Sequence, residues 1–345
     1  METKPLRETA RLVDVAKRAQ VSVATVSRVL NSPHIVRPDV RQRVNEAIKE
    51  LGYLRNAAAR ALRMHSNRLF GALVPTLNHA IYAAMIEAVQ RRLSERGYLL
   101  IVGQTDFSPE AELVHVNALI EHGVEALVLV GETHAPEFYE LIERKSIPFI
   151  NTYTYQAKAV HPCVGFDNRR ATFQMADYLM DMGHQNIAVI VGICKDNDRA
   201  TQRVEGVKQA MQAHGLTLPP EYIMESRYTI ESGRHAMRRL LSLPNPPTAV
   251  VTGTDVLAFG ALSECKAQGI EVPRDLSITG FDDMEFAAHT EPPLTTMQIP
   301  LVQMGQAAAD YLLAVVNDEP RYDQIELETR LVVRKTTARP PVSKQ

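Results

Sequence analysis

Residues 12–31 read LVDVAKRAQVSVATVSRVLN, and the spacing of their apolar side chains decides what stands at the front of the chain. Leu12, Val15, Ala16 and Ala19 recur at the interval that places them on one face of a helix. The run breaks at Gln20-Val21-Ser22, where Ser22 can cap a second helix beginning at Val23. Two short helices meeting through a tight turn give a helix-turn-helix pattern. On the second helix Val26, Val29 and Leu30 face inward. Val23, Ala24, Ser27 and Arg28 are left outward on its leading half, where a recognition helix presents side chains to base edges. Thr25 and Ser27 are placed to reach phosphates, and Asn31 closes the same exposed face. A third helix is expected from Pro38, which suits a first helical position, to a stop at Gly52, with Val40, Val44, Ala47, Ile48 and Leu51 as one apolar stripe.

Charge points the same way. Residues 1–64 hold 13 Lys and Arg against 6 Asp and Glu, a net +7, while the remainder holds 25 against 34, a net −9. A small basic head precedes a large acidic body, the balance expected of a nucleic-acid-binding module joined to something else.

The chain of 345 residues exceeds what one hydrophobic core usually serves. No apolar run approaches the roughly 18 residues of a membrane span, so no membrane partner is expected. The start, METKPLRETAR, lacks the apolar stretch of a secretory signal. The three cysteines (Cys163, Cys194, Cys265) stand apart, which favours free thiols and a cytoplasmic setting.

Beyond residue 67 short apolar runs alternate with longer amphipathic stretches. The runs at 69–75, 99–103, 126–130 and 147–150, and then at 187–191, 222–224, 248–252 and 276–281, read as buried parallel strands separated by helices. They make two α/β units of similar size. Ligands of such units bind at the carboxyl ends of strands, and polar clusters fall there: Asn78 to Tyr82, Asp167-Asn168, residues 195–203, Tyr228, Asp255 and Asp282. The eleven histidines form no HExxH and no paired spacing with cysteine. No GxSxG, phosphate-cradling loop or dinucleotide fingerprint occurs. Neither a metal, a cofactor nor an enzymatic activity is expected, and the methionines at 175, 180 and 182 read as core filler.

The phrases DVAKRAQVSVATVSRVLN, VRPDVRQRVNEAIKELGY and RNAAARALR (55–63) resemble the N-terminal signature of the lactose-repressor (LacI-type) transcription regulators, and the resemblance runs to about Ala338. It implies an all-α helix-turn-helix head with a hinge helix, and a two-lobed body like that of periplasmic binding proteins, built on parallel sheets. By resemblance the domains are 1–55 (head), 56–66 (hinge) and 67–345 (body). One subdomain covers about 67–167 and 299–327, the other about 168–298 and 328–339. The resemblance further implies a homodimer on double-stranded operator DNA. In it the hinge, with Asn56, Ala59 and Arg63, folds on docking and Leu62 wedges into the minor groove. A two-turn, Ala-rich segment is too short to hold as an isolated helix in water, which agrees with folding on binding.

In the body the resemblance assigns Arg203 to an effector-binding arginine, Asp282 to its carboxylate partner, and Tyr82 and Tyr228 to aromatic walls. From their places after strands, Asp167, Asn168, Asp255 and Asp282 are hydroxyl-binding candidates, and Asn197 is a further effector-binding candidate. Arg199, residues 132–136 (ETHAP) and residues 164–168 (VGFDN) resemble the gluconate-repressor branch. Arg199 and Arg203, one helical turn apart, suit a carboxylate. The expected function is therefore a repressor sensing a small sugar acid of the gluconate or 2-ketogluconate kind. A neutral sugar or nucleoside-type ligand is the alternative, and a periplasmic-type binding protein fits less well because it has no use for the head. The competing reading of Arg199 is an ion pair with Asp196 or Asp198 at the surface.

Overall fold

The computed structural model describes residues 10–53 and 66–341. It divides into two units, Met1–Asn67 and Arg68–Gln345. The hinge residues Asn56, Ala59, Leu62 and Arg63 lie outside the described residues.

In the first unit α1 (Leu12–Arg18), α2 (Val23–Asn31) and α3 (Pro38–Leu51) pack around Val15, Ala16, Ala19, Val26, Val29, Val44 and Ala47, all buried. The turn between α1 and α2 passes through Gln20 at φ 54°, a left-handed conformation more often given to glycine. Ser22 then caps α2, its Oγ accepting the Thr25 N–H at 3.1 Å. The α3 stripe is shorter than its spacing suggests. Leu51 is 37% exposed, while in the same last turn Ile48 packs on the core and Glu50 pairs with Arg18 of α1 at 2.6 Å.

The second unit holds two six-stranded sheets. In chain order the elements are β1 (Leu69–Val74), α4 (Ala80–Glu95), β2 (Leu99–Gln104), α5 (Pro109–Glu121), β3 (Ala126–Val130), α6 (Pro136–Arg144), β4 (Phe149–Thr152) and β5 (Cys163–Gly165). There follow α7 (Asn168–Asp181), β6 (Ile187–Gly192), α8 (Asp198–Ala213), β7 (Ile223–Ser226), α9 (Ile230–Leu241), β8 (Ala249–Thr252), α10 (Asp255–Ala267), β9 (Ser277–Asp282) and β10 (Thr295–Gln298). The last elements are α11 (Leu301–Val316), β11 (Gln324–Glu326) and β12 (Arg330–Val332).

The first sheet has the order β11-β5-β4-β3-β1-β2 and the second β12-β10-β9-β8-β6-β7. Every pairing is parallel except β10 with β12. Central strands covered by helices on both faces must be apolar throughout, and β3 and β6 are buried at every position. The chain passes between sheets after β5, after β10 and after β11, so each lobe is built from two stretches of sequence, the second of which supplies the returning strand β11 or β12. In each sheet the strand order reverses beside the first strand, between β1 and β3 and between β6 and β8. A crevice opens at such a reversal, outside the carboxyl ends of the strands.

Candidate effector and DNA sites

The loops that follow β1, β2 and β3 in one lobe face those that follow β6 and β7 in the other. Between them lies a cavity of about 920 Å³. Of the residues singled out in the sequence, Asn197, Arg199 and Tyr228 line it. Tyr82, Arg203 and Asp282 are buried close by: burial pushes the Tyr82 hydroxyl's pKa up, and the charges of Arg199, Asp282 and Arg203 all act on it.

Arg199 spans the lobes. Its Nη1 donates to the Val130 carbonyl at 3.1 Å and to Asp198 Oδ1 at 2.9 Å, while the Glu132 N–H donates to the other Asp198 oxygen at 3.3 Å. The Arg199–Asp198 ion pair anticipated for a surface therefore exists, but both side chains are only 11% exposed and the pair braces one lobe against the other. Burial opposes the Arg199 charge, yet Asp198 and the neighbouring tyrosines leave its pKa raised. Gly131 makes this docking possible. At φ 84° it occupies a left-handed turn, and a Cβ there would lie 1.5 Å from Arg199 Nη1.

Arg203 shares the helical face of Arg199 but serves its own lobe. Nε donates to Asn168 Oδ1 at 2.9 Å, Nη1 donates to the Gly253 carbonyl, and the guanidinium lies 3.9 Å over the Phe281 ring. Burial lowers its pKa, with Asp282 opposing. Among the described residues, Nη2 of Arg199 and Nη2 of Arg203 donate to no protein acceptor. Oδ1 of Asp282 is likewise buried without a partner.

Two predicted residues are placed elsewhere. Asp167 caps α7, its carboxylate accepting the Arg170 N–H at 2.9 Å. Both oxygens of Asp255 are spent inside its lobe, on the Thr296 hydroxyl at 2.6 Å and the Met284 N–H at 2.7 Å. An acid just after a strand is as well placed to cap or brace the next element as to meet a ligand, and these two do the former. Asp255 and Asp282 nonetheless form a buried carboxyl pair. Burial raises both, Asp255 to about 7, and Asp282 is pushed further by the Asp255 charge.

His79, from the Asn78 to Tyr82 cluster, and His134 also reach the cavity. His79 Nε2 donates to the Tyr228 carbonyl across the cleft at 2.8 Å, and burial lowers its pKa. His134, from the ETHAP stretch, meets Glu112 at 2.8 Å and stacks on Phe138. Asn197 donates through Nδ2 to the Tyr228 hydroxyl at 3.1 Å while its Oδ1 caps α8.

In the first unit the exposed face of α2 carries Val23, Ala24 and Arg28. The Thr25 hydroxyl pairs with Ser22 Oγ at 2.9 Å, and Asn31 Nδ2 donates to the Ser27 carbonyl at 2.8 Å.

A small three-helix unit that exposes the leading face of its second helix, together with a two-lobed body enclosing a cavity between its lobes, defines a ligand-responsive DNA-binding regulator. Residues 11–56 match the family described as bacterial regulatory proteins, lacI family, and residues 176–337 match a periplasmic binding protein-like domain. The chain is 36% identical over 335 residues to the HTH-type transcriptional repressor PurR of Salmonella paratyphi B, covering 96% of this chain and 98% of that protein. It is 33% identical over 314 residues to the HTH-type transcriptional repressor CytR of Escherichia coli K12, covering 91% and 92%. Its fold is similar to that of the lac repressor dimer bound to operator and the anti-inducer ONPF, with a TM-score of 0.87 at 26% identity over 96% of this chain and 100% of that one. The chain belongs to the LacI family of DNA-binding transcriptional regulators.

Proposed function

We propose that the protein is a homodimeric operator-binding repressor whose effector is a small sugar acid held between the lobes of the body. The observation that carries the effector class is the pair of buried guanidiniums with unspent Nη2 groups beside the partnerless Asp282 oxygen. A carboxylate satisfies two guanidinium donors at once, and Asp282, with its neighbours, suits a hydroxyl. A neutral ligand offers these charged donors only neutral acceptors, a weaker match than a carboxylate.

Arg199 would also tie the ligand to conformation, since one edge of its guanidinium grips the other lobe. Effector binding and lobe closure then draw on the same side chain, and any change in operator affinity equals the effector's differential affinity for the two states. On DNA, the +7 head and the α2 face would supply phosphate and base contacts, with Asn56, Ala59, Leu62 and Arg63 contributing from the hinge. Calorimetry with gluconate, 2-ketogluconate and glucose on wild type and Arg199→Gln tests the effector class. The acids should bind at least about tenfold tighter than glucose, and the substitution should remove that preference. Equal binding of glucose would refute it.

A further inference from the structure

The loop between β2 and α5 holds two consecutive residues in the left-handed region, Asp106 at φ 51° and Phe107 at φ 60°. A bulky aromatic side chain rarely sits there, and such strain persists only where the surroundings enforce it, often at ligand clamps. Here they do. The N–H groups of Thr105 and Asp106 donate to the carbonyls of Val74 and Pro75, each at 2.9 Å. Gln104 Nε2 donates to Asp106 Oδ1 at 2.7 Å, and Ser108 caps α5.

This braced loop presents Phe107, 46% exposed, to the wall of the interlobe cavity. Its ring centroid lies 5.6 Å from that of Tyr228 in the opposite lobe, with the planes 36° apart. Tyr228 is itself held from both sides, through its carbonyl by His79 and through its hydroxyl by Asn197. Gly192 leaves it room, since a Cβ there would lie 2.0 Å from the Tyr228 oxygen. The two rings make one aromatic wall across the cleft, lining the same cavity as Arg199.

We propose that Phe107 is a specificity-determining residue, selecting acids in ring form whose C–H face packs on the Phe107–Tyr228 wall while Arg199 holds the carboxylate. This rests on the sugar-acid reading and narrows it. Phenylalanine offers no hydrogen bond, so it rewards a flat apolar face and nothing else. A pyranose acid has such a face and enters with its ring torsions already fixed. An open-chain hexonic acid lacks the face and must freeze several rotatable bonds on binding. The cavity, at about 920 Å³, is roomy enough for either, so size does not make the choice.

A panel of probes crosses the two variables. Glucuronate and 2-ketogluconate are ring acids, gluconate is an open-chain acid, and methyl glucoside is a neutral ring. Calorimetry on the full chain should show a ring acid binding about tenfold or more tighter than gluconate. Phe107→Ala should abolish that ratio and Phe107→Tyr should retain it, both unfolding near the wild-type temperature because the side chain is exposed. The inference is overturned if gluconate binds as well as the ring acids, if neither ring acid binds, or if Phe107→Ala weakens ring and open-chain acids equally. Methyl glucoside binding as tightly as glucuronate would instead sink the acid reading and leave the ring selection by Phe107 standing.

Discussion

Replacing Gly131 by alanine strikes the clasp between the lobes at Arg199, the side chain proposed to hold the effector's carboxylate. A Cβ at this position would lie 1.5 Å from Arg199 Nη1 and 2.7 Å from both Arg199 Cζ and Asp198 Oδ1. No small adjustment relieves that, so Arg199 must leave the Val130 carbonyl. Two separable costs follow. Placing alanine at φ 84° costs about 1–2 kcal/mol whether the lobes are open or closed, and appears as a lowered unfolding temperature. Losing the bond from a charged donor costs about 1.5–3 kcal/mol, and only when the lobes are closed, because its acceptor is on the other lobe. The second cost, together with the displacement of Arg199 from the carboxylate, enters effector binding, which should weaken by at least about 10-fold. Calorimetry with the acid that wild type binds best measures this, and thermal unfolding measures the first cost. An effector affinity within about twofold of wild type, with the expected loss of stability, would refute the interlobe role of Arg199.

The buried Asp255–Asp282 pair makes a second prediction. Asp282 ionises near 3.8 when exposed and is raised in the folded chain by burial and by Asp255, so the folded state holds its proton more tightly and loses stability as pH climbs above about 4. The unfolding temperature of Asp282→Asn should therefore gain on wild type between about pH 5 and 8, and a constant difference would contradict the buried pair. At the DNA face, Val23 is 40% exposed and, like Ala24, has no hydrogen-bonding side-chain atom, so its only distinctive major-groove partner is a thymine methyl. In a half-site selected from a random library, uracil for one thymine should weaken binding about three- to tenfold, and Val23→Ser should be indifferent to that change. Insensitivity of wild type at every thymine would count against it. Ser22→Ala removes the α2 cap at 3.1 Å and should cost the first unit about 1 kcal/mol, lowering operator affinity while effector affinity stays put.

Periodicity alone makes the head legible, because three short helices around one small core leave their spacing in the sequence. Eight of the strands are legible for a related reason: sheets covered on both faces favour unbroken apolar runs. The strands Cys163–Gly165, Gln324–Glu326 and Arg330–Val332 are not, being three residues each and held by partners far away in sequence, as Gln324 pairs with Cys163. Thr295–Gln298 reads as a crossing rather than a strand because half of it is threonine. At the site, Arg199, Tyr228 and Asn197 can be found from their places after strands and from family resemblance. The partner of Arg199 cannot, since Val130 lies 69 residues earlier in the other lobe. Asp167 and Asp255 mislead because capping and ligand binding ask for the same residue at the same position. Phe107 leaves a usable signal, an aromatic between Asp106 and Ser108-Pro109 directly after a strand.

Control of the head by the cavity between the lobes is tested most directly by thermodynamic linkage. Operator affinity of the full chain is measured with and without saturating effector, and effector affinity with and without saturating operator. The two ratios are expected to agree, and both to collapse toward one in Arg199→Gln. An operator affinity that saturating effector leaves unchanged would contradict that control.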